Sequence, residues 1–382
     1  MTSLADNQFK GANKIRKTAF INGSILITES CVRAGADIFI GYPITPADLL
    51  YQYAVKRYPK MMAGPDEITT LQWMSGFAAT GHIPVTATSF PGYALMIESV
   101  NMAFMMELPI VIILVQRLGP ATGTATVGAM GDLSVVNGTI SGGFHLPTFA
   151  ISNMKDCWDL PARAIKTAVR LRTPVVLLTS KEMIMTLCSF DTSELGEINK
   201  KQISTYEGEE EYYSYRPDND GIPPFLPLTQ NRHQVRLTAS THDMKGIIQN
   251  SSQEAINNTK RLHNKIINHL DSFSFYEINE QAGADTLIVS YDVSAQAARK
   301  AVYELKSIGK PVSLLIAKTI LPVPDVYMDI INKYSKVIMP EENLDGQFRN
   351  LLFGKAGRKG VSGVNGIAKM ISPEAIIAEV LK

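Results

Sequence analysis

A doubly wound, mostly parallel α/β sheet followed by a second, smaller α/β domain is the fold predicted for this chain of 382 residues. Three observations carry that prediction. From 18 to 190, short β-branched apolar runs alternate with helical spacing, as in a parallel sheet covered by helices on both faces. From 191 to 283 the rhythm stops: Glu207 to Tyr215 is acidic and tyrosine-rich, and Pro217, Pro223, Pro224 and Pro227 follow. From 284 to 382 it resumes.

The first helix is expected over Ser24–Gly35, closed by a glycine, with the strand Ala36–Ile40 after it. Gly41-Tyr42-Pro43-Ile44-Thr45-Pro46 then turns the chain into a helix beginning near Ala47. Thr45 stands where an N-cap belongs, Pro46 at the first helical position and Asp48 in the first turn. Further on come a helix over Asp66–Thr80, the strand Val85–Thr88, a helix over Ala94–Met106 and the strand Ile110–Val115. Helix Cys157–Arg172 and strand Pro174–Ser180 close the first domain. The connecting segment contains one surface helix, Ser252–Leu270, with a thin stripe of Ile256, Leu262, Ile266 and Ile267. The last domain is read as strand Thr286–Ser290, helix Ala295–Ile308, strand Val312–Ala317, a helix after Pro324, and strand Lys336–Met339.

Composition narrows the partners. Hydrophobic residues make up 45% and charged residues 19%, and Lys plus Arg exceeds Asp plus Glu by only 37 to 36. No electrostatic argument therefore favours nucleic acid or an anionic membrane. Leu108–Val115, the longest strongly apolar stretch, is too short to span a bilayer. Met1–Lys17 is polar and lacks the apolar core of a signal peptide, so a cytoplasmic location is expected. Cys31, Cys157 and Cys188 form no CxxC and read as reduced, mostly buried thiols. Six histidines without HExxH or paired spacing give no protein-ligated metal site.

Three segments could carry chemistry. The rigid turn at Gly41–Pro46 sits at the carboxyl end of a strand, where open α/β sheets bind ligands, although capping alone also explains it. Glu67, in Gly64-Pro65-Asp66-Glu67-Ile68, opens a helix; first-turn acids are commonplace, so spacing alone leaves its role open. Arg117 follows the strand ending at Val115 and suits either a structural ion pair or a substrate carboxylate. There is no GxGxxG, no GxxxxGK[ST], and Gly131-Asp132 continues into Leu133, not into a GDG motif for Mg²⁺ and diphosphate.

Taken together, Tyr42-Pro43-Ile44-Thr45-Pro46, Thr86–Tyr93, the loop Gln116–Thr126, Ser240–Gly246 and Glu342–Gln347 resemble, in order, the α subunit of 2-oxoacid:ferredoxin oxidoreductases. That resemblance implies a thiamine diphosphate pyrimidine-binding domain over 18–190, an irregular connection over 191–283, and a transketolase C-terminal-like domain over 284–382. It implies that Glu67 is the catalytic acid that hydrogen-bonds N1′ of the aminopyrimidine. Tyr42, Pro43, Ile44 and Ser89 would contact the cofactor, although Ser89 is also placed to cap a helix. Arg117, with Thr45 and Thr122, would hold the substrate carboxylate, and Thr126 would line the side-chain pocket. The resemblance gives Glu342–Gln347 subunit contacts and the Ser240–Gly246 turn no catalytic role.

The reaction implied is oxidative decarboxylation of a 2-oxoacid with coenzyme A, giving acyl-CoA and CO₂ and reducing ferredoxin. A β subunit would carry the diphosphate site, Mg²⁺ and a 4Fe-4S cluster, in an (αβ)₂ or larger assembly. A non-redox thiamine-dependent decarboxylase or transferase, or a non-catalytic scaffold, is the alternative. Ala47-Asp48, Phe90, Leu118 and Val127-Gly128-Ala129-Met130 depart from the pattern of relatives that use 2-oxoglutarate. Those relatives carry a lysine in the last stretch, so its loss points to a more apolar pocket.

Overall fold

The computed structural model describes residues 18–382; the expectation for Met1–Lys17 lies outside them. The strands are β1 (Thr18–Ile21), β2 (Ile38–Gly41), β3 (Lys60–Ala63), β4 (Pro84–Thr88), β5 (Val111–Gln116), β6 (Thr148–Ala150), β7 (Val175–Ser180) and β8 (Cys188–Asp191) in the first half. In the second half they are β9 (Tyr276–Asn279), β10 (Thr286–Ser290), β11 (Ser313–Ala317), β12 (Thr319–Leu321), β13 (Lys336–Glu341) and β14 (Val361–Asn365). Helices α1 (Gly23–Ala34), α2 (Asp48–Arg57), α3 (Glu67–Ala79), α4 (Phe90–Met105), α5 (Leu133–Asn137), α6 (Asp156–Leu171) and α7 (Lys181–Met185) accompany the first set. Helices α8 (Gln253–Asn268), α9 (Ser294–Ser307), α10 (Asp325–Ile331), α11 (Gln347–Phe353) and α12 (Pro373–Leu381) complete the chain.

The large sheet has the order β12-β6-β7-β5-β4-β2-β3, parallel throughout except for β12, which pairs antiparallel with β6. A strand from the C-terminal part of the chain thus completes the first sheet. Successive side chains on a strand face opposite ways, and the two cores follow that alternation. Ile38, Ile40, Ile112 and Leu114 pack with α3 and α4 on one face. Phe39, Val85, Val111 and Ile113 pack with α1, α2 and α6 on the other. Continuous apolar strands such as β5 are therefore buried on both sides.

The second sheet has the order β14-β13-β10-β11-β9, with only β9 antiparallel. Leu287, Val289 and Leu315 share the core of α3 and α4. Ile288, Leu314 and Ile316 lie under α9 and α12. The two sheets consequently meet in one apolar layer.

Element boundaries differ from the sequence reading in instructive places. Helix α4 starts at Phe90, not Ala94, with Pro91 accommodated in its first turn, where a missing N–H costs nothing. Strand β3 is partly exposed and holds no β-branched residue, so the sequence carries no strand signal there. Strands β1 and β8 pair across most of the first half of the chain, and β9 falls within the stretch expected to be irregular. Arg172 ties down part of that stretch by donating to the carbonyls of Pro223 (3.0 Å) and Pro224 (2.8 Å). His242, in the Ser240–Gly246 turn, packs against Tyr215 with ring centroids 3.9 Å apart and the planes tilted by 40°. Cys31 and Cys157 are buried and Cys188 half-buried, all as free thiols. No helix among the described residues is long and apolar enough to cross a membrane.

Candidate functional site

The chain passes from β2 to β3 in one direction and then returns past β2 to β4. The loops after β2 and β4 diverge there, at the carboxyl ends of the strands, which is where open α/β sheets place a ligand. Four adjacent parallel strands, β3, β2, β4 and β5, deliver Glu67, Thr45, Ser89 and Arg117 to this one end.

The turn after β2 leaves Tyr42 and Pro43 exposed and Ile44 and Thr45 half-buried. Thr45 is not the helix cap, nor is Pro46 its first residue. The chain makes a further turn over 45–47 and α2 begins at Asp48, behind Ala47, with no side-chain cap. Thr45 instead contributes its carbonyl, which accepts a hydrogen bond from Arg117 Nη1. The turn and the arginine loop are joined in this way.

Asp66 caps α3, its carboxylate accepting from the Thr69 N–H at 2.7 Å and from the Thr69 hydroxyl at 3.1 Å. With the cap occupied by its neighbour, Glu67 becomes the first helical residue. It is only 6% exposed, yet it accepts no hydrogen bond from the described residues. Beside it lies Gly92, where a Cβ would stand 2.6 Å from Glu67 Oε1. Only glycine leaves that space open. Ser89 stands at the N-cap position of α4 but does not cap it, and its buried hydroxyl has no partner. The Thr86 hydroxyl, on β4 just before it, is also unpartnered. A buried carboxylate, a glycine gap and unpartnered hydroxyls together suit a heterocyclic group with ring nitrogens and an amine.

Arg117 is 6% exposed and forms no ion pair among the described residues; its Nε is buried without a partner. The structural ion pair left open by the sequence is thus not formed among the described residues. Burial pushes the guanidinium below its ordinary value, and the charge of Asp132 opposes that shift. Thr122 and Thr126 lie exposed on the loop beyond Arg117, outside the buried group. Along the same loop Leu118 and Val127 are half-buried and Ala129 and Met130 buried, and from 118 to 131 there is no charged residue.

Several residues here escape a reading of the sequence. Gln116 bridges two segments: its Oε1 accepts from the Asp132 N–H (3.2 Å), and its Nε2 donates to Asp292 (2.6 Å). Asp132 and Asp292 are buried, each with one carboxyl oxygen unpartnered. Burial lifts Asp132 to about 7 against the pull of Arg117. Burial lifts Asp292 to about 8, with Glu342 and Glu182 adding repulsion. Asp292 lies two residues past β10, and the strand-end rule that singled out Arg117 applies to it equally. The Glu342–Gln347 run clamps the loop within the same chain. The Met130 N–H donates to the Glu342 carbonyl (3.0 Å), Asn343 Nδ2 to the Met130 carbonyl (3.0 Å) and Gln347 Nε2 to the Gly131 carbonyl (2.8 Å).

Residues 29–261 match the family described as pyruvate flavodoxin/ferredoxin oxidoreductase, thiamine diphosphate-binding. The 2-oxoglutarate synthase subunit KorA of Methanocaldococcus jannaschii is 28% identical over 337 residues, 86% of this chain and 89% of the relative. The ketoisovalerate oxidoreductase subunit VorB of Methanothermobacter thermautotrophicus is 26% identical over 370 residues, 91% of this chain and 92% of the relative. Among solved structures, the 2-oxoglutarate:ferredoxin oxidoreductase from Magnetococcus marinus superposes with a TM-score of 0.89 at 24% identity. That alignment covers 97% of this chain and 66% of the longer solved chain. A split-gene transketolase gives a TM-score of 0.54 at 12% identity, covering 95% of this chain and 98% of its own, a likeness of fold.

Proposed function

The chain belongs to the pyruvate flavodoxin/ferredoxin oxidoreductase family through that family's thiamine-diphosphate-binding part, and from this premise we propose that it is the α subunit of a 2-oxoacid:ferredoxin oxidoreductase. Residues 18–190 form its pyrimidine-binding domain, 191–283 the connecting segment and 284–382 the C-terminal domain. A β subunit completes the site with the diphosphate pocket, Mg²⁺ and a 4Fe-4S cluster, in an (αβ)₂ or larger assembly that passes electrons to ferredoxin. The family match supports this reading over a non-redox thiamine enzyme or a scaffold.

The observation that carries the proposal is Glu67: a carboxylate that is buried, unpartnered and opened to one side by Gly92. Bound thiamine diphosphate supplies a carbon nucleophile that side chains lack. Glu67 would hold and return a proton at N1′ of the pyrimidine ring, work that suits a carboxylate because the proton must move both ways near neutral pH. Tyr42, Pro43, Ile44 and Ser89 would flank that ring. Arg117, fixed through the Thr45 carbonyl, would orient the substrate carboxylate, with Thr45 and Thr122 supplying hydroxyls and Thr126 bordering the side-chain pocket. Closure of the interface would exclude water from the reacting centre. The absence of charged residues from 118 to 131 favours a 2-oxoacid with an apolar, branched or aromatic side chain, to be joined to coenzyme A.

The test is Glu67→Gln in the assembled complex. Activity measured as 2-oxoacid-dependent viologen reduction should fall by about a hundredfold or more, with assembly and iron–sulfur absorbance retained. Full activity would remove the catalytic assignment. In the same assay wild-type kcat/KM should be higher with 2-oxoisovalerate than with 2-oxoglutarate; the reverse order would remove the apolar pocket.

A further inference from the structure

Arg117 and Asp132 are two buried charged groups that feel each other without touching. Arg117 Nε and Asp132 Oδ2 are each buried and unpartnered, Asp132 is the one charge that acts on Arg117, and no ion pair joins them among the described residues. A group lodged between them is the simplest completion of both. The backbone of Asp132 is held by Gln116 and by the clamp on Gly131, so the carboxyl cannot easily retreat.

Resting on the reading of Arg117 as the anchor of the substrate carboxylate, we propose that Asp132 is a positioning residue for Arg117 that takes up one proton from solvent when a 2-oxoacid docks. With the site empty, and above about pH 7, one guanidinium faces one carboxylate. A docking substrate brings a second carboxylate to the same cation, and the buried site would then carry a net negative charge. Protonating Asp132 restores neutrality: the carboxylate gains a proton, and no other bond changes. The same protonation releases the whole guanidinium field to the substrate.

Burial favours the neutral form, and no cation besides Arg117 stands against it. The charge of Asp132 reaches the buried hydroxyls of Tyr93 on α4 and Tyr291 after β10. Glu341 and Asp292 act on Tyr291, Glu342 and Glu182 act on Asp292, and Glu182 at α7 stands against Gly128. Every one of these groups is neutral or acidic. Arg117 alone opposes protonation, and the substrate carboxylate offsets it. Burial already holds the Asp132 carboxyl at about 7, so the substrate need add only a small bias.

The prediction is read in the assembled complex from the pH profile of KM. Between pH 6 and 8.5 the wild-type KM for 2-oxoisovalerate should rise about tenfold per pH unit above pH 7. In Asp132→Asn, which mimics the neutral acid, KM should stay flat and lie below the wild-type value at pH 8.5. A purely structural role would shift KM equally at every pH. Should that variant fail to assemble, calorimetry of oxamate binding to the wild-type complex in buffers of different ionisation enthalpy decides the matter. Oxamate does not titrate in this range, and uptake approaching one proton near pH 8 is expected. Zero uptake, or a flat wild-type profile, overturns the proposal. Arg117→Gln separates the two layers. If it raises KM about a hundredfold at pH 6 while the wild-type profile is flat, the anchor stands and the proton linkage falls. If it leaves KM unchanged, the anchor itself falls.

Discussion

Two buried charge clusters in this protein are built to opposite rules. At the back of the large sheet, Glu107 is fully buried and surrounded by cations: Arg261 grips both carboxylate oxygens, Lys265 Nζ stands 2.7 Å away, and Arg172 adds its charge nearby. The three cations hold Glu107 down at about 2 despite its burial. At the carboxyl end of the sheet, Arg117 opposes the burial of Asp132, whereas Asp292 and Glu342 feel further acids, and the three are lifted to about 7, 8 and 7. Burial is similar in the two places; satisfaction is not. A closed network ties Lys265 and Arg261 of α8 and the Arg172-bound segment to the sheet, whereas an open one keeps polar atoms available to a ligand.

The largest effect that tests this contrast is Glu107→Gln. Removing one partner of a buried pair strands Lys265 and Arg261 without a counter-charge, and about 3–5 kcal/mol of stability should be lost in urea denaturation. The acid side offers a second check. Because the folded state holds Glu107 near 2 against an ordinary 4.5, its contribution is complete above pH 4.5 and drains away as pH falls toward 2. The variant should lack that part of the acid sensitivity. A loss below about 1 kcal/mol, within the range of an exposed pair, would mean that the network is not closed.

The two clusters also differ in how much of them can be read from the sequence. Asp66 and Glu67 are legible because an N-cap and its first helical residue are local: three residues decide the geometry. Buried parallel strands such as β5 and β10 are legible because β-branched runs have few other homes. Thr45 misleads because residue types that suit a cap do not reveal the additional turn over 45–47. Strands β1, β3, β6 and β9 are short or lie at edges, and partners far along the chain define them. Asp132 and Asp292 carry no local signature at all. Their character arises where the loop after β5 meets the ends of β10 and β13, a junction that exists only after folding. The roles of Arg117 and Glu67 rest on family resemblance; their burial and missing partners come from the fold.

The smallest effect, and the sharpest, is Asp292→Asn. Asp292 has a positive φ of 48°, a conformation that Asn tolerates about as well as Asp, so the backbone should not object. It accepts a 2.6 Å hydrogen bond from Gln116 Nε2, which the Asn carbonyl oxygen can accept equally. The carboxyl is lifted from 3.8 to about 8, so the folded state holds a proton that the unfolded state releases. Stability from this group is therefore present below pH 3.8 and declines as pH rises toward 8. A neutral amide removes that slope. The variant should match wild type at acid pH and exceed it by about 1 kcal/mol or more at pH 9. An equal loss at both pH values would show an ionised, paired carboxylate and make the two clusters alike. Because Asp292 touches Gln116 and not the substrate anchor, the variant should also keep the wild-type dependence of KM on pH. That outcome would assign the substrate-linked proton to Asp132 and leave Asp292 as the neutral support behind it.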